Sequence, residues 1–331
     1  MLSMNARDAS WFTRESPDSA ESMFVITSRA RLARNISGMV FPGRFSKPDW
    51  LSFRTSVAKT LAKQQFEDFA CGFDAHPQAS KANLLLITDH NVHVQSAIFG
   101  NLEHGTFVIL GDEDHIRCGA VHLGLHLEHV VDTANAIALD LEQVYPYCYD
   151  ADRYGFLTAS LANAGTAIRV SVWMHVPALW ITGTWDAVST TLEAMDVSIR
   201  GILGEFSEIT SGFVQISNRT SFGRTQDEIL LRIKSVVRLI SDAERLARSQ
   251  LLSEYPELTT HELRLIQRLE ATYLTLSELM ESISAAGLGA GLGLNIRMSN
   301  RMVARVLMTA LMDADELGRV PMRRVRSLLS S

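Results

Sequence analysis

Residues 167–176, AIRVSVWMHV, alternate almost without a break: Ile168, Val170, Val172, Met174 and Val176 oppose Arg169, Ser171, Trp173 and His175. A period of two over that length is a strand with one apolar face, and it commits the chain to a sheet whose core covers that face. The alternation recurs in MDVSIR at 195–200 and, more briefly, in FVQIS at 213–217. Over residues 23–34 it sets Phe24, Ile26, Ala30 and Leu32 against Thr27, Arg29 and Arg31. Residues 105–118 (GTFVILGDEDHIRC) read as another strand-like unit, and 82–88 (ANLLLIT) as one more.

Between and after these units the period lengthens. Residues 48–70 predict an amphipathic helix opened by Ser46–Lys47–Pro48–Asp49, 119–144 a long helix, and 184–194 a short one. A parallel βαβ unit is conceivable around 184–194, but strands and long helices do not interleave regularly, so an antiparallel sheet fits better. Residues 225–282 and 298–330 are helical in spacing, separated by AAGLGAGLGLN, which reads as a helix–helix turn. The expected fold is α+β: an antiparallel sheet flanked by helices over 23–245, then a helical C-terminal domain over 246–331. Residues 1–22 are polar and read as a flexible N-terminal arm.

The chain has 331 residues with 31 basic against 37 acidic, a net charge of −6, which argues against a dedicated nucleic-acid binder. Any anion site must therefore be built locally. Three cysteines (Cys71, Cys118, Cys148) at wide spacing do not suggest a disulfide framework, and the latter two read as buried apolar residues. There is no signal-peptide pattern and no run of about 20 apolar residues, so the expectation is a cytoplasmic protein that does not span a membrane.

Four strand-like units carry an arginine on their polar face: Arg29 with Arg31, Arg117, Arg169 and Arg200. Singly, each would be an ordinary surface charge. Together in one cleft, their planar forks would hold a polyphosphate and neutralise charge on transferring oxygens. If GDEDHIRC is extended, Glu113 and His115 share the face of Arg117. Arg200 leads into a glycine-flanked loop with Glu205 and Glu208 that could close as a lid.

These residues stand in motifs that resemble a family. TSRARLARNISGMVFPGRF, GDEDHIR, YGFLTASLANAGTAIRVSVWMHVPAL and IRGILGEFSEITSGFVQISNRTSFGRTQDEI are similar, in family order, to the motifs of the ATP:guanido phosphotransferases (phosphagen kinases), closest to the bacterial McsB-type protein arginine kinase branch. The resemblance implies a guanido kinase (glutamine-synthetase-like) catalytic domain and transfer of the ATP γ-phosphoryl group to a guanidinium nitrogen. It implies phosphate-binding roles for Arg29, Arg31, Arg117, Arg169 and Arg200, and substrate-gripping carboxylates at Glu113 and Glu205. It further implies Mg2+ held by the nucleotide and water rather than by a protein ligand cluster. As partners it implies proteins with exposed arginines, an McsA-like activator, a Clp protease pathway and a homodimer through the C-terminal helices.

The departures are specific. Ser160 stands where the family has its reactive cysteine, followed by Leu161 and Ala162 for Pro and Thr/Ser. Gly111 and Asp112 replace Asn and Glu, Ala167 replaces a glycine, and the C-terminal region lacks the charged residues of the branch's phosphoarginine-reading pocket. The alternatives to a protein arginine kinase are a kinase of free arginine or another small guanidino compound, and a degenerate nucleotide-binding pseudokinase with a scaffold role.

Of the remaining candidates, His115 is expected to orient the strand or a carboxylate, and Trp173 to stack on adenine or simply pack. His122, His126 and His129 would share one face of the expected 119–144 helix, where ordinary histidines are favoured over a metal site.

Overall fold

The computed structural model of the chain describes residues 22–71, 96–101, 103–202, 211–254, 265–293, 298–313 and 319–329. Expectations for the 1–22 arm before Ser22, the strand at 82–88, and the loop carrying Glu205 and Glu208 lie outside them.

The chain forms β1 (Val25–Arg34), α1 (Lys47–Lys63), β2 (Glu67–Cys71), β3 (Ala97–Asn101), β4 (Thr106–Leu110), β5 (Ile116–Leu123) and α2 (Leu127–Glu142). There follow β6 (Ile168–His175), α3 (Pro177–Ile181), α4 (Trp185–Glu193), β7 (Val197–Gly201), β8 (Phe213–Asn218) and α5 (Gln226–Glu254). The C-terminal part adds β9 (Tyr273–Thr275), α6 (Leu276–Gly291), α7 (Asn300–Asp313), β10 (Arg319–Pro321) and α8 (Met322–Leu329). Eight strands make one sheet in the order β2-β3-β4-β5-β1-β6-β8-β7, and every neighbouring pair is antiparallel.

The period of two sorts the side chains of this sheet onto two faces. One carries Ala30, Leu32, Val108, Cys118, Val170, Val172 and Ile216. They pack with Val130, Ala134 and Leu141 of α2 and with Ile233, Val237 and Ile240 of α5. The other carries Phe107, Ile109, Val121, Leu123, Trp173 and Phe213 at one end, covered by Ile283, Val303, Leu307 and Val325 of the C-terminal helices. Ile26, expected beside Ala30 and Leu32, belongs to this second core: a bulge between Val25 and Thr27 moves it across the sheet.

Several boundaries differ from the sequence expectation. The 105–118 unit is two strands joined by a turn at 111–115. Gly111 opens that turn at φ +68, where a Cβ would lie 2.4 Å from the Trp50 ring, so glycine is required on both counts. The helix expected from 119 begins at 127, because IRCGAVHL pairs with β1 and β4 instead. The helix expected over 48–70 ends at Lys63, and 67–71 is an edge strand. Its start is as expected: Ser46 caps it by accepting from the Asp49 N–H, and Trp50, Phe53, Val57 and Leu61 form its buried stripe.

AAGLGAG is not a turn. It is the last part of α6, which a capping box of Thr275 and Glu278 opens. The glycines serve close packing: a Cβ on Gly287 would meet His175 and Val303, each at 3.1 Å. The boundary expected near 245 falls within α5, and the helices beyond it share the second core with the sheet.

Ala167, just before β6, sits at φ +51. An L-residue there is strained by about 1–2 kcal/mol relative to glycine. Ala167→Gly is therefore expected to raise unfolding stability by about 1 kcal/mol; urea denaturation that shows no gain would contradict that strain.

Candidate functional site

The strand register carries all five expected arginines to one face. Arg31 is directly opposite Arg169, Arg29 opposite Ser171, and Arg117 opposite Ala33 on the other flank of β1. Arg200 is opposite Gln215, which is opposite Trp173. Arg31 and Arg169 are a like-charge cross-strand pair, which concentrates positive charge on this face.

An open cavity of about 580 Å³ lies over this part of the sheet. Arg31, Arg117, Arg169 and Arg219 supply its positive wall, Asp112 and Glu113 its acids, and Ser160, Ala162 and Asn163 its far edge. Arg29 and Arg200 share the face but are buried to 4% and 8% exposure and do not line the cavity. Arg29 lies over the Phe107 ring, with its guanidinium carbon 5.9 Å from the centroid.

The turn at 111–115 sets the acids. Arg117 donates from Nη1 to Asp112 at 2.5 Å and from Nη2 to Glu113 at 2.6 Å. Glu113 is thus on the arginine's side, though through a turn rather than the extended face expected. Its side chain is 45% exposed, against 9% for Asp112, so Glu113 is the acid open to a ligand.

Asp114 and Asn35, which sequence reasoning missed, hold this wall. Asp114 is fully buried and accepts from Asn35 Nδ2 at 2.7 Å and from the Ala159 N–H at 2.8 Å. Asn35 Oδ1 accepts from the His115 N–H at 2.9 Å. One network therefore ties the acid-bearing turn to the segment that presents Ser160. The signal was present in the motifs LARN and DEDH, but nothing in their spacing said that they meet. Arg219 was missed as well; it directly follows QISN at the end of β8, two residues beyond Ser217, as Arg169 is two before Ser171.

His115 acts as scaffold. It is fully buried, its Nδ1 accepts from the Ile36 N–H at 3.2 Å, and Nε2 donates to the Val40 carbonyl at 2.7 Å. Phe41, Phe45 and Phe53 surround its ring. An accepting Nδ1 means a neutral imidazole, and burial lowers its pKa below the ordinary value. The folded chain then binds fewer protons here than the unfolded chain. This contribution to stability is full above about pH 6.5 and is lost as pH falls toward and through the folded pKa. The melting temperature should drop on acidification from about pH 6.5, and His115→Gln should flatten that segment of the profile; an identical slope in the variant would contradict this role.

Trp173 packs. It is 5% exposed, lies in the second core and donates to Gln215 Oε1 at 3.0 Å. His122 is on β5, His126 precedes α2 and His129 is within it, so no single helix face holds them. Their rings do gather, with centroids 4.2 Å and 5.4 Å from that of His122. Among the described residues no group of three or more His, Cys, Asp or Glu has metal-binding geometry. Cys118 is buried and its thiol is pushed up to about 11 by desolvation; Cys148 is half-buried. Among the described residues no helix is long and apolar enough to cross a membrane.

Comparison with known proteins agrees with this arrangement. Residues 74–247 match the profile of the ATP:guanido phosphotransferase C-terminal catalytic domain. A protein-arginine kinase of Clostridium acetobutylicum is 31% identical over 247 residues, covering 72% of each chain. A protein-arginine kinase of Staphylococcus haemolyticus is 32% identical over 267 residues, 78% of this chain and 76% of that one. Among solved structures, the duplicated taurocyamine kinase of Schistosoma mansoni with transition-state-analogue components superposes with a TM-score of 0.59 at 20% identity, over 78% of this chain but only 39% of that one. A lombricine kinase superposes at 0.58 and 19% identity over 74% of each chain, so the likeness in both cases is one of fold. The chain belongs to the ATP:guanido phosphotransferase family.

Proposed function

We propose that the protein is a kinase that transfers the γ-phosphoryl group of ATP to the guanidinium of arginine side chains in proteins. The observation that carries this reading is the Arg31–Arg169 cross-strand pair at a cavity whose next wall is Arg117 bonded to Glu113. A triphosphate matches the positive charge that these strands concentrate, and arginines fixed on neighbouring strands need no reorganisation as charge spreads over the transferring oxygens. The protein-arginine kinases among its relatives support arginine as acceptor.

In this reading Arg31, Arg117 and Arg169 hold the phosphates from the cavity, and Arg29 and Arg200 add positive charge from the same face. Glu113 aligns the substrate guanidinium and takes its proton as a guanidinium nitrogen bonds to the γ-phosphorus and the bond to the ADP oxygen breaks. Glu205 is the second carboxylate of the proposal. Ser160 faces the acceptor with a hydroxyl, which hydrogen-bonds without adding charge. Magnesium would neutralise phosphate oxygens. Asp112 and Glu113 are already engaged by Arg117, which suits a metal delivered with the nucleotide rather than one held by a protein cage. An McsA-like activator, a Clp protease pathway and a dimer through the C-terminal helices belong to the same proposal, on the resemblance to the bacterial branch.

Two measurements test it. Magnesium–ADP at 100 times its Kd should stabilise the fold by about 2.7 kcal/mol, and Arg31→Ala should abolish most of that gain. Ser160→Cys should raise turnover on protein arginine if a thiolate still has a seat beside the guanidinium; unchanged turnover would mean that the pocket works around serine.

A further inference from the structure

The cavity opens beside a rim of exposed apolar side chains that phosphoryl transfer does not use. Leu161 is 67% exposed and stands in the chain between Ser160 and Ala162, which both line the cavity. Tyr154 and Phe222 are 43% and 38% exposed, and their rings stack 6.3 Å apart at 26°.

These three residues belong to one platform. The Gly165 N–H donates to the Tyr154 carbonyl at 2.9 Å, and the Ser221 N–H to the Ala162 carbonyl at 3.0 Å. The Ser221 hydroxyl donates to the Ala164 carbonyl at 2.9 Å. Gly165, at φ +86, lets the strands of backbone close up: a Cβ there would lie 3.0 Å from the Ser221 carbonyl oxygen and 3.2 Å from the Phe222 Cα. Exposed apolar residues scattered singly need no explanation, but a group bonded through its backbone to the segment that lines a site marks a binding surface.

We propose that this rim is a specificity subsite for the polypeptide that carries the target arginine, and that it selects arginines flanked by large apolar residues. The inference rests on the arginine-kinase reading above. The occupant follows from continuity with the cavity: an arginine side chain that enters past Ser160 brings its own main chain to the mouth, where neighbouring residues meet Leu161 and the Tyr154–Phe222 pair. Free arginine has no neighbours to place there.

The test is fluorescence anisotropy with two labelled peptides, Gly-Gly-Leu-Arg-Phe-Gly-Gly and the same peptide with serine for leucine and phenylalanine. The full chain is used, as wild type and as Leu161→Ser and Phe222→Ser. The wild type should bind the apolar-flanked peptide at least about five-fold tighter, roughly 1 kcal/mol. Each variant should lose most of that preference while melting at the wild-type temperature. Equal binding of the two peptides by the wild type, or an undiminished preference in both variants, overturns the subsite. Transfer from labelled ATP to the same peptides is read separately: a binding preference without any transfer would sink the kinase reading and leave the subsite standing.

Discussion

Arg169→Ala is expected to lower phosphoryl transfer at least about 100-fold and to change stability far less than activity. Arg169 reaches the cavity from β6, donates from Nη2 to Ser217 Oγ at 3.0 Å and stands directly opposite Arg31. In the resting protein this is a like-charge cross-strand pair, a contact that costs about 0.2–1 kcal/mol. Removing one partner relieves the repulsion but also loses the bond to Ser217 and the other contacts of Arg169, so stability should change far less than activity. In the transition state the same group faces spreading phosphoryl charge at a preorganised position, and its loss is not compensated. Steady-state turnover and urea unfolding, measured on the same preparation, check both halves. Near-normal turnover would remove the arginine face from the mechanism.

Glu113→Gln should cost about 10²- to 10⁴-fold in turnover with little change in nucleotide affinity. The amide keeps the shape and can still accept from Arg117, but it cannot take a proton. Asp112 also bonds to Arg117 and would hold the turn in the variant. Because Glu113 is 45% exposed, its ion pair contributes at most about 1 kcal/mol to stability. A variant that loses nucleotide binding along with turnover would point instead to a collapse of the turn.

The sheet and the arginine face were legible in sequence because alternation is a direct record of a half-buried strand. AIRVSVWMHV is β6 nearly residue for residue, and the polar side of each strand unit did carry its arginine to a common face. What local pattern could not supply was contact at a distance. The histidines and leucines after residue 119 mimic helical spacing, yet Cys118, Ala120 and their neighbours are strand because β1 lies beside them. AAGLGAG carries turn-like composition, but small residues in α6 answer the close approach of His175 and Val303. Asn35, Asp114 and Ala159 are widely separated in the chain and meet only in the fold, so the network that positions Glu113 against Ser160 left no periodic trace. Trp173 shares the face of the arginines, but alternation does not say which end of that face is open and which is roofed by the C-terminal helices.

The most direct test offers labelled ATP and magnesium to the full chain with free arginine in one reaction and an unfolded, arginine-rich protein in another, beside the Glu113→Gln variant. Acid-labile label on the protein that is lost in the variant is the predicted result, with Ser160 in place of the family cysteine. Label on neither acceptor, from a chain that still binds the nucleotide, would contradict the kinase and leave a phosphate-binding scaffold.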